Sequence, residues 1–159
     1  MQSTESVTVE ARPASVFPYV ADLAAYPRWM HLVHRAEPLP VDDDGPLAWS
    51  VEIRAQVGPF ARSKRLRMER VECIAEQLVV FERAETDGRE HAGWILRVEL
   101  APVSPDAAGS HVEVATTVTM HLTYDGRLWT GGVLNKILDD QIRRGRIGLI
   151  ELVSEETKP

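Results

Sequence analysis

VTVEARPASVFPYVADLAAYPRWM, residues 7–30, sets the frame of the chain. Val7, Val9 and Ala11 alternate with polar neighbours across Ser6–Arg12, which reads as a half-buried strand. Pro13 suits the first position of a helix, where its missing N–H would have been unpaired anyway. Val16, Phe17, Val20 and Ala21 follow at helical spacing, so PASVFPYVA is a short amphipathic helix that Pro18 bends by removing one hydrogen bond. Asp22 reads as the N-cap of a second short helix, DLAAYPRWM, which must end or distort near Pro27.

C-terminal to this stretch, from Ala36 to Tyr124, the period changes to two. Five or six alternating runs are separated by turn chemistry at Asp42–Pro46, Gly58–Pro59, Thr86–Gly88 and Pro102–Gly109. The first, Ala36–Val41, is weak and suits an edge strand. Trp49, Val51, Ile53, Ala55 and Val57 share one strand face, as do Ala92, Trp94, Leu96, Val98 and Leu100. Val112, Val114, Thr116, Val118, Met120, Leu122 and Tyr124 line a third. One-sided alternation with short connections predicts an antiparallel sheet with a single covered face.

The remainder, about Leu128–Val153, is helical. Val133, Leu134, Ile137, Leu138, Ile142, Leu149, Leu152 and Val153 form one apolar stripe. Gly145 and Gly148 each weaken such a helix by ~1 kcal/mol relative to Ala. Two short helices cannot cover six strands, so the C-terminal helix must lie across the apolar face. A curved sheet wrapped around one helix leaves a gap, and an α+β fold with an internal cavity is the expectation.

The 159 residues are 44% apolar and 26% charged, the composition of a soluble globular protein of one domain. No apolar run nears the ~18 residues of a membrane span, and the polar start Met1–Ser6 has no signal-peptide pattern, so a cytoplasmic protein is expected. Eighteen basic against 24 acidic residues give a net charge of −6, which counts against a nucleic-acid partner. The basic runs Arg62–Arg70 and Arg143–Arg146 are short and interleaved with acids, and read as solvated faces. A single cysteine, Cys73, excludes an intrachain disulfide.

The segment Val7–Met30 resembles the N-terminal signature of the polyketide cyclase/dehydrase branch of the START-like (SRPBCC, birch-pollen-allergen-like) superfamily. That signature is a strand, a Pro-started helix with a Val-Phe pair, an Asp, and a Tyr-Pro-x-Trp segment. YDGRLWTGGVLNKILDDQIRRGRIGLIEL, residues 124–152, is similar to the same family's Gly-rich turn and closing helix. The resemblance implies the helix-grip fold, a curved antiparallel sheet around a long C-terminal helix, with the second short helix as a lid. Function varies widely on this fold.

Arg70 is the sharpest chemical candidate. In RSKRLRMERV, residues 62–71, Arg62, Lys64, Leu66, Met68 and Arg70 share one face, so inward Leu66 and Met68 bring Lys64 and Arg70 to the cavity side. A guanidinium among apolar walls holds a carboxylate or polarises an enolate oxygen. The aromatase/cyclase members carry an Arg at the position matching Arg70, which implies enolate stabilisation, with Tyr124 and Tyr26 as the proton carriers to test. The ligand-binding residues expected are Trp29, Trp49, Val51, Ile53, Leu66, Met68, Trp94, Leu96, Met120, Leu134 and Leu138, large flat and aliphatic side chains around a concavity.

No metal and no cofactor is expected. His31 and His34 would share a helical face, but no nearby carboxylate completes a ligand set, and His91, His111 and His121 fall on outward strand faces. G-x-S-x-G, G-x-G-x-x-G and the P-loop pattern are absent, and Cys73 has no activating base in sequence. Three functions follow. The first is binding of a small hydrophobic molecule, a polyketide, lipid or isoprenoid, in a void of at least ~300 Å³. The second is cyclase, aromatase or dehydratase chemistry on a polyketide. The third is a protein-interaction module of the ribosome- or respiratory-chain-associated kind, acting through a sheet edge or helix surface. Monomer and homodimer are both compatible with the sequence.

Overall fold

The computed structural model describes residues 2–41, 44–57, 60–103, 114–126 and 133–156, with the side chains of 55–57, 60–62, 133–139, 141–142 and 156 outside the description. Seven strands form one antiparallel sheet in the order β1-β7-β6-β5-β4-β3-β2. They are β1 (Gln2–Val9), β2 (Val33–Pro38), β3 (Ala48–Val57), β4 (Phe60–Ile74), β5 (Leu78–Arg83), β6 (Trp94–Val103) and β7 (Ala115–Tyr124). Strands β2 to β7 are a meander, and β1 closes on β7 from Gln2 opposite Thr123 to Val9 opposite Thr116. Helix α1 (Pro13–Ala21), a 3₁₀ helix (Leu23–Arg28) and α2 (Val133–Glu156) cover its concave face. This is the helix-grip α+β architecture.

The element order follows the sequence expectation, and the boundaries differ for physical reasons. The first strand starts at Gln2 because its polar half is paired too: Thr4 Oγ1 bonds His121 Nδ1 at 2.9 Å, and Ser6 Oγ bonds Thr119 Oγ1 at 2.9 Å. Asp22 caps the next segment as expected, accepting from the Ala24 N–H at 2.9 Å. With Pro27 inside it, that segment is a 3₁₀ rather than an α-helix. The weak edge strand lies earlier than expected, ending at Pro38, so His34 is a strand residue while His31 sits in a turn. The two histidines therefore do not share a helical face. His91 lies in the loop before β6, not on a strand, and His111 lies outside the described residues.

Burial follows period two over most of the sheet, but not in β5, where Leu78, Val79, Val80 and Phe81 are all buried, nor at the start of β7, where Ala115 and Thr116 both are. Trp49, Val51, Leu66, Met68, Val79, Phe81, Val98, Val118, Met120 and Tyr124 are buried on the concave side. A β-bulge between Arg70 and Glu72 interrupts the pairing of β4 with β5 and leaves Val71 exposed. Val16 and Val20 of α1 and Leu149, Leu152 and Val153 of α2 complete the core. Gly145 and Gly148 are where α2 meets the backbone of Trp29 and Met30. No helix among the described residues is long and apolar enough to cross a membrane.

Candidate functional site

Between the sheet and the 3₁₀ helix lies a cavity of about 60 Å³. Its floor comes from adjacent strands: Val51 and Ile53 of β3, Leu66 and Met68 of β4, Trp94 and Leu96 of β6, Met120 and Leu122 of β7. Val33 of β2, paired with Ile53, joins that floor, and the roof comes from Leu23 and Tyr26 of the 3₁₀ helix and from Met30 and Leu32 behind it. The strand residues meet there because alternate positions on paired strands face the same way: Val51 is opposite Leu66, Trp49 opposite Met68, and Leu96 opposite Leu122.

The wall is apolar, and its softness is specific. The chain has four methionines, and the three that follow Met1 all line this cavity. Met is unbranched, with a polarizable thioether, so it re-packs around irregular shapes at small energetic penalty. The enclosed volume falls short of the ~300 Å³ void expected from the sequence for a binding function, so a guest enters only if Met30, Met68 or Met120 changes rotamer.

Of the expected ligand-contacting residues, Val51, Ile53, Leu66, Met68, Trp94, Leu96 and Met120 are on the wall. Trp29 and Trp49 are not. The Trp29 indole donates to the Tyr19 carbonyl at 3.2 Å and lies 4.5 Å from the Tyr26 ring. The Trp49 indole donates to Asp22 Oδ1 at 3.0 Å and meets Phe81 edge-on. Asp22 thus fastens the 3₁₀ helix to β3 while capping it. Leu134 and Leu138 lie in α2, but their side chains are outside the described residues.

The three residues proposed for chemistry do not converge on the cavity. Arg70 is on the concave side of β4, as alternation predicts, but its Nη1 donates to the Ala21 carbonyl at the end of α1, at 3.0 Å. It serves there as a cationic cap of a helix C-terminus. Tyr26 presents its ring to the cavity while its hydroxyl donates to the Val20 carbonyl at 2.9 Å. Burial, and secondarily the Asp22 carboxylate, push its ionisation far above the usual tyrosine range. The Tyr124 ring stacks 4.6 Å from Trp94, and its hydroxyl occupies the space that a side chain at Gly126 would need.

A polar cluster beside the wall escaped the sequence reading. Arg83 is opposite Met68 at the end of β5, and its side chain is only 4% exposed. Its Nε donates to Glu85 Oε1 at 2.7 Å, Nη1 to the Ala92 carbonyl at 3.1 Å, and Nη2 to His91 Nδ1 at 3.1 Å. Guanidinium only donates, so His91 Nδ1 accepts and its proton sits on Nε2, which faces Asp87 at 2.9 Å. Lys64, opposite Ile53, completes the group, its ammonium pushed below the usual range by burial and then by Arg83, with Glu85 opposing. The signal was available: Val79, Phe81 and Arg83 alternate, so an inward Phe81 brings Arg83 inward. Among the described residues no group of His, Cys, Asp and Glu could hold a metal ion.

Residues 1–149 match the family described as polyketide cyclase/dehydrase and lipid transport. The chain belongs to that family. Its members' fold recurs in solved structures that cover nearly all of the chain. A START superfamily protein from Mycobacterium smegmatis superposes with a TM-score of 0.73 at 18% identity, over 98% of this chain and 99% of that one. TTHA0849 from Thermus thermophilus gives 0.70 at 15% identity, over 99% and 100%. The di-domain aromatase/cyclase BexL of the BE-7585A biosynthetic pathway gives 0.66 at 13% identity, over 100% of this chain and 51% of that one. Among curated proteins none matches the chain significantly. Membership of the polyketide cyclase/dehydrase and lipid transport family points to hydrophobic ligand binding.

Proposed function

We propose that the protein binds a small hydrophobic molecule, a polyketide, lipid or isoprenoid, in the cavity under the 3₁₀ helix. The observation that carries this reading is the wall itself: an apolar concavity in which every methionine after Met1 is placed. Such side chains fill irregular gaps in a core, and they equally let a wall re-form around guests of different shape. Cyclase, aromatase or dehydratase chemistry would further require Arg70 to leave the Ala21 carbonyl and a tyrosine hydroxyl to turn toward the guest.

The test is calorimetric titration with straight-chain alcohols from hexanol to decanol, on the wild type and on Leu96→Trp, which fills the cavity from β6. Each added methylene should tighten binding up to about fourfold, the equivalent of ~0.8 kcal/mol. Leu96→Trp, still folded by circular dichroism, should weaken binding at least tenfold. Binding untouched by Leu96→Trp overturns the location. Absence of binding by every alcohol overturns the reading and favours the interaction-module function.

A further inference from the structure

Arg83 is a guanidinium almost withdrawn from water, and withdrawing it is unfavourable unless partners compensate. One carboxylate, Glu85, does so, and Glu85 is already committed: its Oε1 accepts from Arg83 Nε and from the Arg67 backbone N–H at 3.3 Å. Lys64 stands on the same concave side, one alternate position beyond Leu66 and opposite Ile53, both of which are cavity wall. Lys64 makes no ion pair among the described residues. The cavity wall itself is apolar; Lys64 and Arg83 stand just outside it, beside Ile53 and Met68, as two cations against the one carboxylate of Glu85. Asp87, on the solvent side of His91 and near Arg89, is screened by water and does not face the apolar wall.

We propose that the guest is an apolar molecule ending in a carboxylate, whose acid group is held at the Lys64–Arg83 end while its chain lies along Leu66, Met68 and Leu96. This rests on the binding function proposed above and adds the chemical class of the ligand. A surplus of one positive charge matches a monoanion. The ammonium supplies a freely rotating donor at the rim, and Arg83, held by Glu85, Ala92 and His91, supplies a fixed field behind it. A bound carboxylate would also relieve the mutual repulsion of the two cations, which the unliganded protein bears.

The experiment compares octanoate with octanol, equal in chain length, on the wild type, Lys64→Met and Lys64→Arg at pH 7. The wild type should bind octanoate at least tenfold more tightly than octanol. Lys64→Met should reduce that ratio below threefold while its affinity for octanol stays within threefold of wild type, and Lys64→Arg should restore the preference. Equal binding of acid and alcohol by the wild type overturns the acid-end assignment and leaves the hydrophobic site standing. So does a preference that survives Lys64→Met. Failure of both compounds to bind the wild type overturns the underlying binding function as well.

Discussion

The backbone of Gly148 in α2 lies against that of Trp29: a β-carbon at position 148 would stand 2.6 Å from the Trp29 carbonyl oxygen and 3.1 Å from its Cα. One turn earlier, a β-carbon at Gly145 would meet only ordinary contacts at 3.6 Å, with Met30 and the Trp29 carbonyl. The two glycines, equivalent as helix weakeners, are thus unequal in the fold. Gly148→Ala gains helix propensity of up to ~1 kcal/mol but forces backbone apart, with an overpacking penalty of about 1–3 kcal/mol. Net destabilisation is expected. Gly145→Ala should be neutral or stabilising. Urea unfolding of the two variants checks the contrast, and equal midpoints would refute it.

Tyr26→Phe should separate structure from chemistry. It leaves the buried Val20 carbonyl without its donor, a loss of about 1–3 kcal/mol. The ring that faces the cavity is retained, so octanol affinity should stay within threefold. The pH dependence has a definite sign. Because the folded-state ionisation of Tyr26 is raised, its contribution is complete below the ordinary tyrosine pKa of about 10 and falls away as pH climbs above it. Tyr26→Phe should therefore lose less stability between pH 9 and 11.5 than the wild type does.

Arg70→Met removes the donor to the Ala21 carbonyl at the end of α1. A partly exposed charged hydrogen bond of this kind is worth about 1 kcal/mol, and the melting temperature should fall accordingly. Binding of octanol should be little changed, since the side chain is not on the cavity wall. An unchanged melting temperature together with a tenfold loss of ligand would instead give Arg70 a direct role in the site.

Lys64→Met should raise stability at pH 7. The ammonium's folded-state pKa is lowered, so the charged form is disfavoured by folding at neutral pH. That penalty disappears as pH rises through the lowered pKa toward the ordinary value of about 10.4. The stabilising effect of the substitution should shrink correspondingly between pH 7 and 10.5. Thermal unfolding across that range measures it, and an effect that grows with pH would contradict the assignment.

The strands and their inward faces were readable because alternation is a direct print of one-sided burial: Val51, Leu66, Met68, Leu96 and Met120 all reach the wall from that rule alone. The polar ends of side chains were not readable in the same way. Alternation gives a side, and it brings Arg70 and Arg83 to the same concave face. Which of them reaches a helix carbonyl and which stays beside the cavity depends on the bulge after Arg70 and on where α1 ends. Trp29 and Trp49 show the same limit, since indole N–H groups seek acceptors and found them at Tyr19 and Asp22. Leu32 and Val33 reached the wall unforeseen because the edge strand begins earlier than alternation suggested, with Val33 paired to Ile53 of β3 and the Leu32 carbonyl accepting from the Arg54 N–H.

Gathering every methionine after Met1 around one cavity has a spectroscopic consequence. Protein labelled with ¹³C only at methionine methyl groups would give four resonances, three of them reporting from the cavity and one from Met1. Titration of any guest would then be seen from inside the container, with β4, β7 and the turn behind the 3₁₀ helix each contributing its own signal. The chain carries its own internal thermometer of occupancy, with no probe to be engineered.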